Sequence, residues 1–294
     1  MENSEKLKEI VKEKYSEIAK QDKASNQASC CGSGSVSTEV YNIMTDDYTE
    51  MQGYNQDADL GLGCGLPTQF AQIKTGDTVI DLGSGAGNDC FIARHEAGET
   101  GKVIGIDFTP EMIKKARLNA EKLRFNNVEF REGDIENMPV SDDVADVVVS
   151  NCVLNLVPEK QNVIKEIFRV LKPGGHFSIS DIVLSGELPK KLQEDAEMYA
   201  GCVSGAIQKD DYMEMIVKTG FENISIQKEK PIELPEDILS KYLNEDEVRA
   251  FKLGETGIFS VTVFAQKPGG TSKKIKVSLK DLQENACLPG SGCC

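Results

Sequence analysis

Four short runs rich in valine or isoleucine, at 78–82, 102–108, 145–150 and 176–182, and a fifth strand-like run at 128–132, alternate with helical patterns; this alternation constrains the fold most. Runs this short and apolar predict buried parallel strands. The helical pattern 110–123 opens on a proline, and 159–171 is closed by Lys172-Pro173-Gly174-Gly175. The expected fold is therefore α/β, with a doubly wound sheet. Beyond Ser185 the pattern becomes helix 189–200, a Cys-containing turn 201–206, helix 209–219 and strands at 224–228 and 258–265. That segment is expected to supply the last strands and to cap the carboxyl edge of the sheet. The predicted organisation is an N-terminal helix and Cys-Cys arm (1–48), a nucleotide-binding unit (49–185), a C-terminal capping segment (186–267) and a flexible Cys-containing tail (268–294).

The loop Asp81-Leu82-Gly83-Ser84-Gly85-Ala86-Gly87-Asn88 follows the first strand directly and opens a helix near Asn88. Glycines there permit a tight turn and let backbone N–H groups approach a ligand at a helix N-terminus. Asp107 stands 20 positions after Gly87, at the end of the second strand. That spacing suits a carboxylate that accepts from ribose hydroxyls, and N-capping of the helix at Pro110 is the alternative. The cofactor is a dinucleotide or S-adenosylmethionine. G-x-G-x-G preceded by Asp81 differs from the pyrophosphate-binding G-x-G-x-x-G and favours the second. Asp134 and Ile135 end the third strand, where a carboxylate can accept from an adenine amino group and an aliphatic side chain can pack on the ring.

DLGSGAGN, GIDFTPEMI, GDIENMP and LKPGG together resemble the class I S-adenosylmethionine-dependent methyltransferases, over roughly residues 73–182. The resemblance implies a Rossmann-like sheet in which Asp81, Gly83 and Gly85, with Gly87 in the same loop, hold the methionine end. It gives Asp107 the ribose, Met112 a face of the adenine, Asp134 and Ile135 its edge, and Asn151 a place near the methyl donor. Enzymes that methylate base or protein amide nitrogens share an Asn/Asp-Pro-Pro-aromatic motif after the fourth strand. Here the residues are Ser150-Asn151-Cys152-Val153-Leu154-Asn155, which disfavours that acceptor class.

Nine cysteines remain to be explained, in a chain with two histidines and no C-x-x-C pair. A chain this long needs no disulfide staples, and a structural zinc site lacks its ligand pattern. Cys152 follows the fourth strand, Cys64 lies between glycines in GLGCGLP, and Cys202 lies in YAGCVSGA within the capping segment. Three thiols from three regions converging on one point would suit a soft trivalent ion such as As(III), whose lone pair can attack a sulfonium methyl group. GLGCGLP, SNCVLNL and YAGCVSGAIQKDDY resemble the arsenite methyltransferases, over most of residues 1–267. By this likeness Cys64, Cys152 and Cys202 are catalytic arsenic ligands and Cys30 or Cys31 is an accessory thiol. It also implies arsenite and methylarsenite as substrates, and glutathione or thioredoxin as reductant. Cys90, His95 and His176 have ordinary core or surface readings, and the tail bearing Cys287, Cys293 and Cys294 falls outside the resemblance.

The net charge of −15, with dispersed lysines, disfavours nucleic acid as a partner. Residues 1–21 form a charged helical pattern rather than an apolar leader, and no apolar run approaches roughly 18 residues. A reducing cytoplasm and free thiols are expected. Two rivals stand beside this reading. One is a quinone- or sterol-type methyltransferase, which predicts an aromatic-lined cap, whereas this chain has no Trp. The other is a thiol protein that sequesters soft metals, which leaves the cofactor motifs unexplained.

Overall fold

The computed structural model describes residues 2–20, 46–193, 203, 205–253 and 257–269. Seven strands form one sheet: β1 (Thr78–Leu82), β2 (Lys102–Asp107), β3 (Val128–Glu132), β4 (Ala145–Asn151), β5 (Leu171–Ser185), β6 (Glu222–Pro231) and β7 (Gly257–Gln266). Their order is β3-β2-β1-β4-β5-β7-β6. The first five are parallel, whereas β7 runs antiparallel between β5 and β6. The central β1 is apolar on both faces because helices cover both, which is why its run reads as continuous rather than alternating. From β1 the chain builds outward to β2 and β3, then returns to place β4 on the other side. The crevice at this switch point, beyond the carboxyl ends of β1 and β4, is where an α/β sheet binds its ligand.

Helices α1 (Glu2–Ala19), α2 (Asn88–Ala97), α3 (Pro110–Leu123), α4 (Lys160–Val170), α5 (Lys209–Thr219), α6 (Glu236–Tyr242) and α7 (Glu245–Leu253) complete the main elements. On one face Val163, Ile164 and Ile167 of α4 and Tyr212 and Ile216 of α5 share a core with β1, β4 and β5. On the other, Phe91 of α2 and Ile113 and Ala116 of α3 pack with Val79, Val103 and Val147. A third cluster lies past the sheet's carboxyl edge, where Leu188, Leu192, Val203, Leu234, Leu239 and Val248 gather with Cys64 and Cys152. Helix α1 bridges two clusters, with Val11 in the third and Ile18 in the second.

The structure departs from the sequence expectations in two places, the close of α4 and the helices after β6, and leaves most of a third element undescribed. Lys172-Pro173-Gly174-Gly175 does not cap a helix: α4 stops at Val170 and the residues open a 15-residue β5, with an irregular register between the Ala145 and Val147 pairings. In the expected helix 189–200 the described part is Lys190–Gln193, and 194–200 lies outside the described residues. Helices α6 and α7, of 7 and 9 residues, were not anticipated; with so many charged residues, neither shows a long apolar period. No described helix is long and apolar enough to cross a membrane.

Candidate active site

The glycine loop leaves β1 with Gly83 at φ +64° and Gly85 at φ +50°, both in the left-handed region that side chains other than glycine rarely adopt. A Cβ on Gly83 would also overlap the Val153 side chain, whereas one on Gly85 would meet nothing within 4 Å and would point into open space. That space is a cleft lined by the glycine loop together with Asp107, Asp134, Ile135 and Asn151. Ser84 Oγ and Asn88 Oδ1 are buried in its wall without hydrogen-bond partners among the described residues. Buried polar atoms left unpaired are costly, so the loop fits a ligand that pairs with them.

Of the residues expected to hold the cofactor, Asp81, Gly83, Gly85, Asp107, Asp134, Ile135 and Asn151 line this cleft, and so does Cys152. Asp107 accepts the Gly85 N–H through Oδ2 at 3.0 Å and the Thr109 N–H through Oδ1 at 2.8 Å. An ionised carboxylate has lone pairs beyond those two. Gly87 lies under the loop rather than in the cleft: at φ +99° it precedes α2, and a Cβ there would strike Phe91 and Phe130. Met112 is corrected. It is fully buried in the core beneath α3, and Phe108, next to Asp107, takes a place on the cleft wall instead. On α3 the side chain at 112 falls on the helix's inward face with 113 and 116, so helical phase turns it toward the sheet.

Several residues line the cleft that the sequence did not single out: Lys8, Tyr15, Tyr48, Asp59 and Asp89. Asp89, in the first turn of α2, lies where acidic residues suit a helix dipole. Burial pushes it up to about 6, opposed by hydrogen bonds from Tyr48, Asn151 and Thr68. Burial, with Asp89 beside it, holds Asp81 well above the usual carboxylate range, and the Cys90 thiol donates to its Oδ2 at 3.2 Å. The Cys90 thiol is itself pushed up by burial and by Asp81, and it packs in the core. Lys8 of α1 reaches across the mouth to Asp134 at 2.6 Å and also to Glu136.

Cys152 is the first residue after β4. Its φ of +61° places it in the left-handed region, a conformation that costs a non-glycine residue about 1–3 kcal/mol. Its N–H donates to the Ser180 carbonyl at 2.7 Å, which anchors the turn to β5. Cys152 lines the cleft and also belongs to the apolar cluster that contains Cys64. Both thiols lie close enough to Tyr212 to raise its phenol, after burial and Asp181. Cys64 is fully buried and does not line the cleft. Cys202, Cys30, Cys31, Cys287, Cys293 and Cys294 lie outside the described residues. Among the described residues, no three His, Cys, Asp or Glu side chains converge as a metal cage.

Residues 73–220 match a methyltransferase domain family. An arsenite methyltransferase from Halobacterium salinarum is 42% identical over 277 residues, which cover 90% of this chain and 67% of that one. One from Aquipseudomonas alcaligenes is 30% identical over 263 residues, covering 87% and 71%. The crystal structure of an arsenic (III) S-adenosylmethionine methyltransferase from Chlamydomonas reinhardtii superposes with a TM-score of 0.61 at 30% identity. It covers 80% of this chain and 75% of that one.

Proposed function

The chain belongs to the arsenite methyltransferases, and we propose that it holds trivalent arsenic through Cys152, Cys64 and Cys202 at the inner end of the cofactor cleft. It is an S-adenosylmethionine-dependent enzyme that methylates arsenite, a detoxification reaction. The observation that carries the ligand assignment is the double membership of Cys152, on the wall of the cleft and in the same apolar cluster as Cys64. Val203, the neighbour of Cys202 in sequence, is fully buried in that cluster too.

When bound, S-adenosylmethionine supplies an electrophilic sulfonium methyl group, which the arsenic lone pair takes up without a proton to lose. The chain therefore needs no general base at arsenic. Its thiols lose protons as they bind, its apolar cluster excludes water, and Asp81, Asp107 and Asp134 are placed to hold the cofactor's polar ends. Orientation of this kind can be worth roughly 7–11 kcal/mol. Each transfer oxidises arsenic by two electrons. A thiol reductant, glutathione or thioredoxin, returns it to the trivalent state as two thiols become a disulfide, so that methylarsenite can re-enter as substrate.

Cys152→Ser and Cys202→Ser test the assignment, because a hydroxyl is a hard and essentially un-ionised substitute for a soft thiolate. Each is expected to abolish arsenite methylation while cofactor binding survives in calorimetry. Wild-type turnover in either variant would remove that residue from the site.

A further inference from the structure

The Cys64 peptide is gripped from both sides by side chains far away in sequence. Its N–H donates to Asn151 Oδ1 at 3.0 Å, and its carbonyl accepts from Ser260 Oγ at 2.5 Å. The next carbonyl, of Gly65, accepts from Asn151 Nδ2 at 2.8 Å. Asn151 Nδ2 also donates to the Tyr48 hydroxyl, which in turn donates to Asp89 Oδ2 at 2.8 Å. The flanking glycines are what allow this approach. A Cβ on Gly63 would lie 2.5 Å from Asn151 Nδ2, and one on Gly65 would lie 2.6 Å from Ser180 Oγ. Nothing in a merely buried cysteine demands such an arrangement, since a small apolar side chain packs without its backbone being fixed by two distant side chains.

We propose that Asn151, Tyr48 and Ser260 are positioning residues for the reaction: Asn151 and Ser260 clamp the Cys64 peptide, Tyr48 braces Asn151, and together they fix where the thiol meets arsenic. The proposal rests on the assignment of Cys64 as an arsenic ligand. Asn151 and Tyr48 stand on the cleft wall, so the clamp ties the Cys64 loop to the surface that receives the cofactor. Ser260 is different. It sits on β7, buried and paired with Ile182, and does not line the cleft. Ser260→Ala thus loosens the grip on Cys64 without touching a cofactor contact.

The two substrates separate a positioning role from a general structural one. Inorganic arsenite has three positions to fill with sulfur, whereas methylarsenite has one taken by carbon and needs one thiolate fewer. At saturating cofactor, Ser260→Ala and Tyr48→Phe are expected to lose about ten-fold in kcat/KM for arsenite. Ser260→Ala is expected to keep methylarsenite turnover within about two-fold, and Ser260→Thr, which retains the hydroxyl, restores arsenite turnover. Because the clamp acts through Cys64, Cys64→Ser/Ser260→Ala is expected to be no worse than Cys64→Ser alone, a non-additivity that the double-mutant cycle reads directly. Equal losses on both substrates, or additive losses in the double variant, would overturn the clamp. A dead Cys64→Ser beside a fully active Ser260→Ala and Tyr48→Phe would overturn the clamp alone. Wild-type arsenite turnover in Cys64→Ser would overturn the ligand assignment and the clamp together.

Discussion

Asp107, at the end of β2, accepts the backbone N–H of Gly85 at 3.0 Å, so the carboxylate and the glycine loop are one unit. With Thr109 on the other oxygen, the group is pre-oriented at the cleft wall before any ligand arrives. If this carboxylate takes the ribose, Asp107→Ala is expected to weaken cofactor binding by about 1.5–3 kcal/mol, or roughly 10- to 150-fold in Kd. Arsenite affinity without cofactor is expected to change little. Calorimetry showing unaltered cofactor affinity would reduce Asp107 to a fastener of the loop.

Lys8 closes on Asp134 and Glu136 from α1, at the position expected to take the adenine amino group. If Asp134 serves the adenine, the ammonium competes with the cofactor for one carboxylate. A partly exposed ion pair is worth roughly 0.2–1 kcal/mol, so Lys8→Ala is expected to tighten cofactor binding by up to about five-fold. Weaker binding in that variant would mean that Lys8 itself helps to hold the ligand.

Asp181 gives a pH signature. Burial raises it to about 7, opposed by the Tyr212 hydroxyl that donates to it at 3.1 Å. In an unfolded chain it would titrate near about 3.9. The native state therefore binds this proton more tightly, and its stabilising contribution is complete below about pH 4 and lost as pH rises through about 7. Relative to Asp181→Asn, the wild type is expected to lose on the order of 4 kcal/mol across that window. Asp89 works in the same direction, up to about 6. Arsenite affinity should move oppositely and rise with pH, because thiols release protons on binding. Denaturant titrations at pH 5 and pH 8 with the same change in both proteins would contradict the Asp181 assignment.

The fold was legible because β1, β2 and β4 are short, apolar runs punctuated by proline and glycine, whereas β3, VEFRE, is a half-exposed strand at the sheet edge. The expected helix 110–123 coincides with α3, and 209–219 with α5. The glycine loop and Asp107 were legible because their spacing along the chain fixes their spacing in the cleft. Met112 was misread because one motif, GIDFTPEMI, spans a strand end and a helix start, where helical phase decides which side chain faces the ligand. Tyr48, Asp89 and Ser260 could not be read, since what joins them to Cys64 and Asn151 is hydrogen bonds between residues 62 to 196 positions apart. The two glycines beside Cys64 were the one written trace of that approach.

The tail from 268 is expected to be dispensable for turnover. β7 ends at Gln266, and Lys267 closes it by donating its N–H to Gly175 at 2.8 Å and its ammonium to Asp143 at 2.7 Å. Truncation after Lys267 preserves those bonds together with Cys64, Cys152 and Cys202. Near-normal rates at saturating arsenite are expected, with any loss confined to low arsenite or scarce reductant. A truncated protein that folds and binds cofactor but cannot methylate would place the tail in the catalytic apparatus.

The central claim is that three protein thiolates hold arsenic. X-ray absorption at the arsenic edge, on protein loaded with one equivalent of arsenite and free of added thiols, counts those ligands directly. Three sulfur neighbours are expected in the wild type, and one sulfur fewer in each of Cys64→Ser, Cys152→Ser and Cys202→Ser. A first shell dominated by oxygen, or three sulfurs persisting when any of these cysteines is replaced, would contradict the account.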